Sequence, residues 1–485
     1  MQLQHVTTEI DIRHACLRRN DIPFRIVGDY AVLHKRADKI VLNRSAMTII
    51  SKLDGLHTAA QVCRAAADLL QISDYERFER DSLRLMARMY ALGIISDPTG
   101  SITQIARDRT MRATRAISGG GCATPPPPVS PKLSSLEDQL EAYYWRHHLI
   151  YKMYLELTYR CNFRCSHCYN PTHINVGEMS TRQWIDVLAQ LAELGCYLIA
   201  LTGGEPFARA DIDELLLAAA EKGFSVRINT NASLITPRHI DTLVQIGDHL
   251  QDVYVSFYGG SPETSDQISS RPGGFAASLT AATNMNDAGI PVLAKFVTMR
   301  DNVREAEMFE VLMSAASIPH TVITETINPK TNRDASSLVQ IVPAHLFAPM
   351  IARRGIAPRQ TLHEESCKPG HIRGAISPKG DVSPCEWLTD FKLGNVTQVP
   401  LGEVWYGDKF LQFRQQFMEN QEECTACHLH SSCGRCPAHS YLETGSLFKC
   451  APNHRRDAEY IYANSSVPSP DRSSEGEQPY ASDMR

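Results

Sequence analysis

The chain lacks the features of a membrane-spanning, secreted or nucleic-acid-binding protein. No apolar run approaches the roughly 20 residues that cross a bilayer, and the first twenty residues contain no apolar stretch typical of a secretory signal. With 49 basic and 54 acidic residues the net charge is −5, so no basic excess favours a nucleic-acid or polybasic membrane surface. We therefore expect a cytoplasmic protein with neither nucleic acid nor membrane as a partner.

Cysteine is the residue whose abundance needs an explanation. The 485 residues include 14 cysteines, although a reducing cytoplasm disfavours structural disulfides. Four are isolated, which is typical of small buried apolar residues: Cys16, Cys63, Cys122 and Cys196. The other ten form two groups, which indicate metal sites: Cys161, Cys165 and Cys168, and then Cys367, Cys385, Cys424, Cys427, Cys433, Cys436 and Cys450.

The first third of the chain is predicted to hold a small domain followed by a spacer. Residues 1–21 are assigned to an N-terminal extension, and 22–98 to short strands followed by amphipathic helices, an α+β unit. Residues 99–149 include GGGCATPPPPVSPKLSS, which is too rich in glycine and proline to build a core and suits a linker.

The middle of the chain alternates between strand-like and helix-like patterns. In residues 150–345, β-branched apolar runs occur at MYLELT, YLIALTGG, SVRINTN, VYVSFYGG, VLAKFVTM and TVITETI. Such alternation predicts parallel β/α units, and six of them fit a partial (β/α)6 barrel of the TIM type within an α/β fold. Functional residues in such barrels lie at the C-terminal ends of the strands, where the first cysteine group, GGEP and NTN all fall.

The remaining sequence is assigned to a cysteine-rich domain and a tail. Residues 346–462 contain the second cysteine group. Residues 463–485 are polar and rich in proline and serine, and we expect them to be disordered.

The stretch CNFRCSHC places three cysteines within eight residues, from Cys161 to Cys168. A structural zinc site takes four protein ligands, and a [4Fe–4S] cluster takes one thiolate for each iron. Three thiolates would leave one iron open to a substrate or cofactor. A zinc or redox loop with a distant fourth ligand is the alternative.

This spacing of three and then two residues between cysteines resembles the radical SAM superfamily. The resemblance implies a [4Fe–4S] cluster whose open iron binds the amino and carboxylate groups of S-adenosylmethionine (SAM). One electron, from a donor such as flavodoxin or ferredoxin, would then yield methionine and a 5′-deoxyadenosyl radical that abstracts hydrogen from a C–H bond. The implied enzyme is an oxidoreductase whose cofactor supplies the chemistry and whose protein supplies the geometry.

Further motifs at strand ends match the SAM contacts of that superfamily. In TGGEP, glycines allow close backbone approach, and Glu205 offers a negative charge to the SAM ammonium. At Asn229 the alternative is an asparagine that only forms a turn. At His167 the alternative is a histidine that only packs. The resemblance predicts no catalytic residue and gives these cofactor-binding residues: Gly203, Gly204, Glu205, Pro206, Asn229, Ser256 and His167.

The second cysteine group resembles the SPASM domain, which holds auxiliary iron–sulfur clusters. The sequence departs from that family by having two residues, not three, between Cys433 and Cys436. The family arrangement implies two auxiliary clusters, of the [4Fe–4S] type. Cys424, Cys427, Cys433 and Cys450 would hold one, and Cys367, Cys385 and Cys436 the other, with a fourth ligand that the sequence does not identify. A pair of zinc sites is the alternative.

The N-terminal unit resembles the PqqD-like recognition element of enzymes that modify ribosomally synthesised peptides (RiPPs). The resemblance is carried by AVLHKRADKIVLNRSAMTIISKLDGLHTAAQV and MYALGIISD. It implies a winged-helix fold that binds the leader of a precursor peptide as an added strand. A DNA-binding winged helix is the alternative, against which the acidic net charge argues.

Together these features predict a radical SAM/SPASM peptide maturase for RiPP biosynthesis. It would bind the leader of a precursor peptide and install a cross-link, with a thioether as the first expectation and a C–C or C–O bond as the next. One alternative is a radical SAM enzyme that matures a partner protein or oxidises a small molecule. The other is a non-catalytic iron–sulfur or zinc scaffold.

Overall fold

The fold is given by a computed structural model. It describes residues 16–19, 24–27, 30–35, 38–91, 94–98, 140, 143–168, 177–323, 369–419, 424, 427–429, 433 and 436–464. Cys122, Cys367, most of the predicted linker and nearly all of the predicted tail lie outside these residues. No helix in the described part of the chain has the length and hydrophobicity to span a bilayer.

The N-terminal unit combines two small sheets with three helices. One antiparallel sheet has the order β2–β3–β4, and the other has the order β5–β1–β6. The strands are Cys16–Arg19, Phe24–Val27, Tyr30–Lys35, Asp38–Asn43, Asp54–Thr58 and Ile95–Ser96 (β1–β6). The helices are Arg44–Ser51, Ala59–Leu70 and Tyr75–Ala91 (α1–α3). Their apolar faces share one core with β3 and β4, as expected for amphipathic helices.

This unit begins before residue 22, the boundary predicted from the sequence. Strand β1 pairs antiparallel with β5 and with β6, so it belongs to the unit's second sheet. The sequence CLRR is short and polar, and it lacks the apolar alternation that marks a strand.

The central domain is built on six parallel strands that are neighbours in chain order, as the sequence predicts. The strands are Lys152–Thr158, Leu198–Gly203, Ser225–Thr230, Leu250–Phe257, Val292–Val297 and His320–Ile323 (β7–β12). The helices between them are Thr181–Glu193, Ile212–Glu221, Pro237–Gln245, Pro262–Ser269, Gly274–Asp287 and Ala306–Ala315 (α4–α9). Short 3₁₀ helices lie at Pro206–Ala208, Gly247–His249 and Val303–Glu305.

The two faces of these strands differ sharply in character. Side chains that alternate toward the helices are apolar and completely buried, among them Met153, Val226 and Phe296. The intervening side chains, such as Tyr154 and Lys295, are polar and half-buried. Because successive side chains of a strand point to opposite faces, the second set lines the barrel interior.

The sheet continues into the region that the sequence assigns to the cysteine-rich domain. Strand Arg373–Ile376 (β13) pairs parallel with β7, and Asp381–Ser383 (β14) and Gly394–Asn395 (β15) follow antiparallel, giving nine strands. These strands have four residues or fewer, too few for their pattern to show. The remaining helices are Leu401–Trp405, Asp408–Glu419, Pro437–Thr444 and Pro452–Asn464 (α10–α13).

The N-terminal unit packs against the end of the barrel where its strands begin. Val32 and Val41 share an apolar cluster with Tyr151 and Leu198, which lie at the starts of β7 and β8. Tyr144, from the predicted linker, joins this cluster and donates a hydrogen bond to the carbonyl of Gly195 (3.1 Å). Part of the segment assigned to the linker is therefore packed on the barrel. The cysteine loop lies at the opposite end of the barrel.

Candidate functional site

The first three cysteines lie in the loop that follows β7. Their side chains are half-buried. Burial raises the pKa of the Cys161 thiol to about 11, and burial together with the neighbouring Cys168 and Cys161 thiols raises the pKa of Cys165. Such thiols become thiolates when a metal binds them, so this donor set suits an iron–sulfur cluster. Among the described residues, no three cysteine, histidine or acidic side chains are arranged to hold a single metal ion.

The cysteine loop is anchored to the segment after β10. Backbone N–H groups of Arg164 and Ser166 donate to the carbonyls of Ser269 and Ile268 (2.8 and 3.0 Å). Gly274, in the RPGGF stretch, packs so closely on Phe163 that an added Cβ would lie 3.0 Å from its ring. These contacts hold the loop against the segment that joins β10 to β11.

The GGEP stretch lies directly against the residues that precede Cys161. Gly204 N–H donates to Thr158 O (2.7 Å), and Glu205 N–H donates to Arg160 O (2.8 Å). Gly203 has φ +117°, and a Cβ there would lie 2.5 Å from Thr158 O. A Cβ at Gly204 would overlap Arg160 O. Both glycines are thus required for two backbone segments of the site to meet.

The Glu205 carboxylate is held by three hydrogen bonds from the protein. It is completely buried, and it accepts hydrogen bonds from Phe207 N–H (3.1 Å), the Thr230 hydroxyl (2.6 Å) and Asn231 N–H (2.8 Å). Burial raises its pKa to about 7. These hydrogen bonds join the ends of β8 and β9. The contact of Glu205 with the SAM ammonium stays a prediction.

Replacing Glu205 by glutamine tests this joining role. The variant keeps the shape but replaces one accepting oxygen with an NH₂ group that faces a donor, so we expect the free energy of unfolding to fall by about 1–3 kcal/mol. Urea unfolding of the purified variant measures it. Glu193, exposed at the end of α4, provides the control: Glu193→Gln is expected to leave stability within about 0.5 kcal/mol. Equal stability of the two variants would contradict the joining role.

Asn231 contacts the cysteine loop, although the sequence analysis selected Asn229 from the same motif. Its side-chain amide donates to Asn162 Oδ1 (3.0 Å) and to Cys161 Sγ (3.9 Å). The N–H of Phe163 also donates to Cys161 Sγ (3.4 Å). Hydrogen bonds to cluster sulfurs tune the potential of the cluster.

The other predicted cofactor residues lie at or just after the C-terminal ends of the barrel strands. Asn229 and Ser256 are half-buried on the interior-facing side of their strands, and Pro206 is buried at the start of a 3₁₀ helix. His167 is buried, with its ring centroid 4.7 Å from that of Tyr258. Burial lowers the pKa of His167 to about 4, so its ring is neutral at physiological pH.

Two of the C-terminal cysteines pack against the same group of apolar side chains. Cys385 and Cys436 border one apolar cluster, and Cys385 Sγ donates to Glu386 Oε2 (3.0 Å). Arg455, hydrogen-bonded to Glu459, lies within electrostatic range of both Cys450 and Cys427. Cys385 and Cys436, from one predicted ligand set, thus pack against the same apolar cluster, while Cys367 of that set lies outside the described residues.

Comparisons with known proteins agree with this geometry. Residues 155–312 match the radical SAM superfamily, and residues 367–428 match SPASM, an iron–sulfur cluster-binding domain. A PqqA peptide cyclase of Rhizobium meliloti is 30% identical over 276 residues, covering 52% of this chain and 73% of that protein. An AdoMet-dependent heme synthase of Nitratidesulfovibrio vulgaris is 28% identical over 329 residues, covering 60% of this chain and 88% of that protein.

Solved structures resemble a larger part of the chain. Streptococcus suis SuiB bound to S-adenosylmethionine aligns with TM-score 0.53 and 17% identity, covering 89% of this chain and 98% of that one. SuiB bound to its precursor peptide SuiA aligns with TM-score 0.54 and 15% identity, covering 90% and 98%. At this identity the similarity establishes the fold alone.

These findings confirm the predicted α/β radical SAM fold, its cofactors and the prediction of an enzyme. The cofactors are a SAM-binding [4Fe–4S] cluster and the auxiliary iron–sulfur clusters of the SPASM domain. The zinc and scaffold alternatives are wrong. The chain belongs to the radical SAM superfamily and is a radical SAM enzyme with a SPASM domain.

Proposed function

We propose that this enzyme modifies a ribosomally synthesised precursor peptide. The leader of the peptide would bind the PqqD-like N-terminal unit, and the segment to be modified would enter the barrel. The product would be a cross-link, with a cysteine-to-carbon thioether as the first expectation and a C–C or C–O bond as the next. A flavodoxin or ferredoxin would supply the electron.

A sheet edge that no other described strand covers, on the N-terminal unit, carries the proposal. Strand β2 is an edge strand of its sheet, bonded to β3 through the register Phe24 to Leu33 and Val27 to Tyr30. Ile26 on this strand is 58% exposed. An edge strand offers backbone donors and acceptors to an added strand, and an exposed apolar side chain offers a contact for its side chains. A leader peptide fits both features.

The packing of this unit ties a bound leader to the domain that holds the site, at the barrel end opposite the cysteine loop. Val32 and Val41, on β3 and β4, are buried against the barrel, so the sheet that would bind the leader is fixed to the catalytic domain. A peptide held there has a high effective concentration at the barrel, set by the length of chain between leader and modified residue. The site then needs little affinity of its own for that residue.

The comparisons support a peptide substrate more than any other. Several relatives are PqqA peptide cyclases, by name enzymes that act on a peptide. SuiB, solved with its precursor peptide SuiA, aligns with 90% of this chain, a share too large to omit the whole N-terminal unit. The alignments with the curated relatives cover about 60% of this chain.

Several residues of this chain would position the cofactors. The cluster of the barrel would be held by Cys161, Cys165 and Cys168, and SAM would lie between GGEP, Asn229, Ser256 and His167. When bound, the cluster and SAM supply the radical that takes a hydrogen atom from the substrate. The neutral His167 ring and the buried Tyr258 would shield this region from water.

Cross-linking removes two hydrogen atoms from the peptide, one taken by the radical and one lost as a proton and an electron. The SPASM cysteines would hold the groups that accept that electron. One set is Cys424, Cys427, Cys433 and Cys450, and the other is Cys367, Cys385 and Cys436.

A substitution at Ile26 tests leader binding. We expect Ile26→Asp to weaken binding of a labelled leader peptide by about tenfold or more, because a charge replaces an apolar contact beside the added strand. Fluorescence anisotropy measures this affinity. Leu69→Asp is the control, since Leu69 is 67% exposed on α2 of the same unit. Equal affinities of the two variants would place the leader elsewhere.

Co-expression with a candidate precursor peptide from the neighbourhood of this gene tests the function itself. We expect mass spectrometry to find the peptide lighter by two hydrogen atoms, and fragmentation to locate the cross-link. An unchanged peptide would contradict the proposal.

Oxidation of a small molecule is the second candidate, because the AdoMet-dependent heme synthase relative is matched over 88% of its length. If the neighbouring peptide is unchanged and SAM is cleaved faster when a small molecule is added, this candidate replaces the first.

A further inference from the structure

Asn231 is a buried polar residue that the proposed function does not use. It is 5% exposed, and it directly follows β9 at the barrel end that holds the cysteine loop. Its side-chain amide donates to Cys161 Sγ (3.9 Å) and to Asn162 Oδ1 (3.0 Å). An asparagine amide has two N–H donors, so both are directed at the cysteine loop.

Three side chains form a closed ring of hydrogen bonds around this amide. Asn231 donates to Asn162, the Asn162 amide donates to the Ser233 hydroxyl (2.8 Å), and that hydroxyl donates back to Asn231 Oδ1 (2.6 Å). Each side chain donates once and accepts once within the ring, so each bond polarises the next. The ring joins the cysteine loop to the segment after β9.

The ring also decides which way the Asn231 amide faces. Its oxygen accepts from the hydroxyl and from the backbone N–H of Ser233 (2.6 and 2.9 Å). A reversed amide would place its NH₂ group against that N–H, and its oxygen against Cys161 and the Asn162 oxygen. The network therefore fixes an N–H donor, and not an oxygen, beside the Cys161 sulfur.

The backbone around this amide is held as well. The N–H of Asn231 donates to Glu205 (2.8 Å), and its carbonyl accepts from the Ser278 hydroxyl (2.6 Å). Ala232 has a left-handed conformation with φ +61°, which is costly for a residue with a Cβ, and its N–H donates to the Thr230 hydroxyl (2.8 Å). Strained backbone of this kind concentrates at functional sites.

Cys161 thus receives two N–H donors, one from Asn231 and one from the backbone of Phe163 (3.4 Å). With Cys161 as a ligand of the barrel cluster, both donors face a thiolate of that cluster. Reduction adds a negative charge that the cluster sulfurs share, so a donor stabilises the reduced form more than the oxidised form. The reduction potential of the cluster rises as a result.

We propose that Asn231 is a positioning residue that raises the reduction potential of the barrel cluster, and that Asn162 and Ser233 act through it. A higher potential eases the transfer of one electron from a donor such as flavodoxin or ferredoxin. The inference rests on Cys161 as a cluster ligand, and it holds for a peptide and for a small-molecule substrate alike.

Potentiometric titration followed by EPR, on the anaerobically reconstituted full chain without SAM, tests this role. The signal that Cys165→Ala lacks identifies the barrel cluster. We expect Asn231→Ala to lower the ratio of reduced to oxidised barrel cluster at a fixed potential by about tenfold, the scale of one hydrogen bond to a charged group. This equals a downward shift of about 59 mV for one electron. The potentials of the SPASM clusters should not change, which makes them an internal control.

Three further variants sharpen the test. Asn231→Asp keeps the shape, removes the donor and adds a negative charge, so its downward shift should be larger. Ser233→Ala opens the ring but keeps the Asn231 amide, so its downward shift should be smaller. Asn284→Ala, at an exposed position of α8, should leave the potential unchanged.

An unchanged or raised potential of the barrel cluster in the two Asn231 variants would overturn the inference, and so would an equal shift of the SPASM clusters. If neither variant assembles the barrel cluster, Ser233→Ala decides, and an unchanged potential there overturns the inference as well. The potential is measured only on molecules that hold the cluster, so partial unfolding does not imitate the shift. Failure of the proposed function is distinguishable, because the titration contains no peptide.

Discussion

Replacing Cys165 by alanine is expected to abolish the formation of 5′-deoxyadenosine from SAM, a loss on the order of a thousandfold or more. The cluster of the barrel would lose one of its three thiolates, and the open iron would no longer be held in place. Among the described residues of this loop Cys165 has no substitute, because His167 is buried against Tyr258 and Cys168 already belongs to the set. Chromatography of anaerobic reactions with dithionite measures the product.

A matched control separates this effect from loss of the fold. Cys63 is completely buried in the core of the N-terminal unit, and Cys63→Ala should cost about 1 kcal/mol of stability while keeping full SAM cleavage. The iron content of Cys165→Ala should fall only in part, because the SPASM cysteines are intact. If Cys165→Ala cleaves SAM at the wild-type rate, this loop is excluded as the cluster site.

Gly204→Ala is expected to weaken SAM binding by about a hundredfold, the cost of moving a positioned group by about 1 Å. The added methyl group would overlap the carbonyl oxygen of Arg160, so GGEP would have to move away from the cysteine loop. That movement would also break the Glu205 N–H to Arg160 O hydrogen bond (2.8 Å). Equilibrium dialysis against SAM measures the affinity.

Gly402→Ala is the control for this substitution. A Cβ at Gly402 meets only Leu194, at an ordinary distance of 3.5 Å, and alanine should stabilise the helix by about 0.5–1 kcal/mol. The control should bind SAM like the wild type. Normal SAM affinity in Gly204→Ala would show that the close contact between the two loops has no role in the site.

The barrel and its reactive end follow from the sequence, because the pattern that signals them is local. Buried parallel strands appear as continuous apolar runs, and the runs at MYLELT and VLAKFV coincide with β7 and β11. The cysteine loop and GGEP each follow such a run, so the position of the site could be predicted before the structure.

The partners of individual side chains could not be predicted, because they come from distant parts of the chain. Glu205 accepts hydrogen bonds from Thr230 and Asn231, and nothing near GGEP in the sequence indicates these two partners. Strand β13 pairs with β7 across more than two hundred residues, and its four residues carry too little pattern to reveal this. Lys152 and Lys295 resemble surface lysines until the strand register places both inside the barrel.

The central claim is that an open iron beside Cys161, Cys165 and Cys168 binds the amino and carboxylate groups of SAM. Electron–nuclear double resonance of the reduced enzyme, with SAM labelled with ¹⁵N in its amino group and ¹⁷O in its carboxylate, tests this claim most directly. Hyperfine coupling of both labels to the cluster, lost in Cys165→Ala, is the predicted result. A protein that carries zinc at this position, or a cluster with no coupling to either label, would contradict the account.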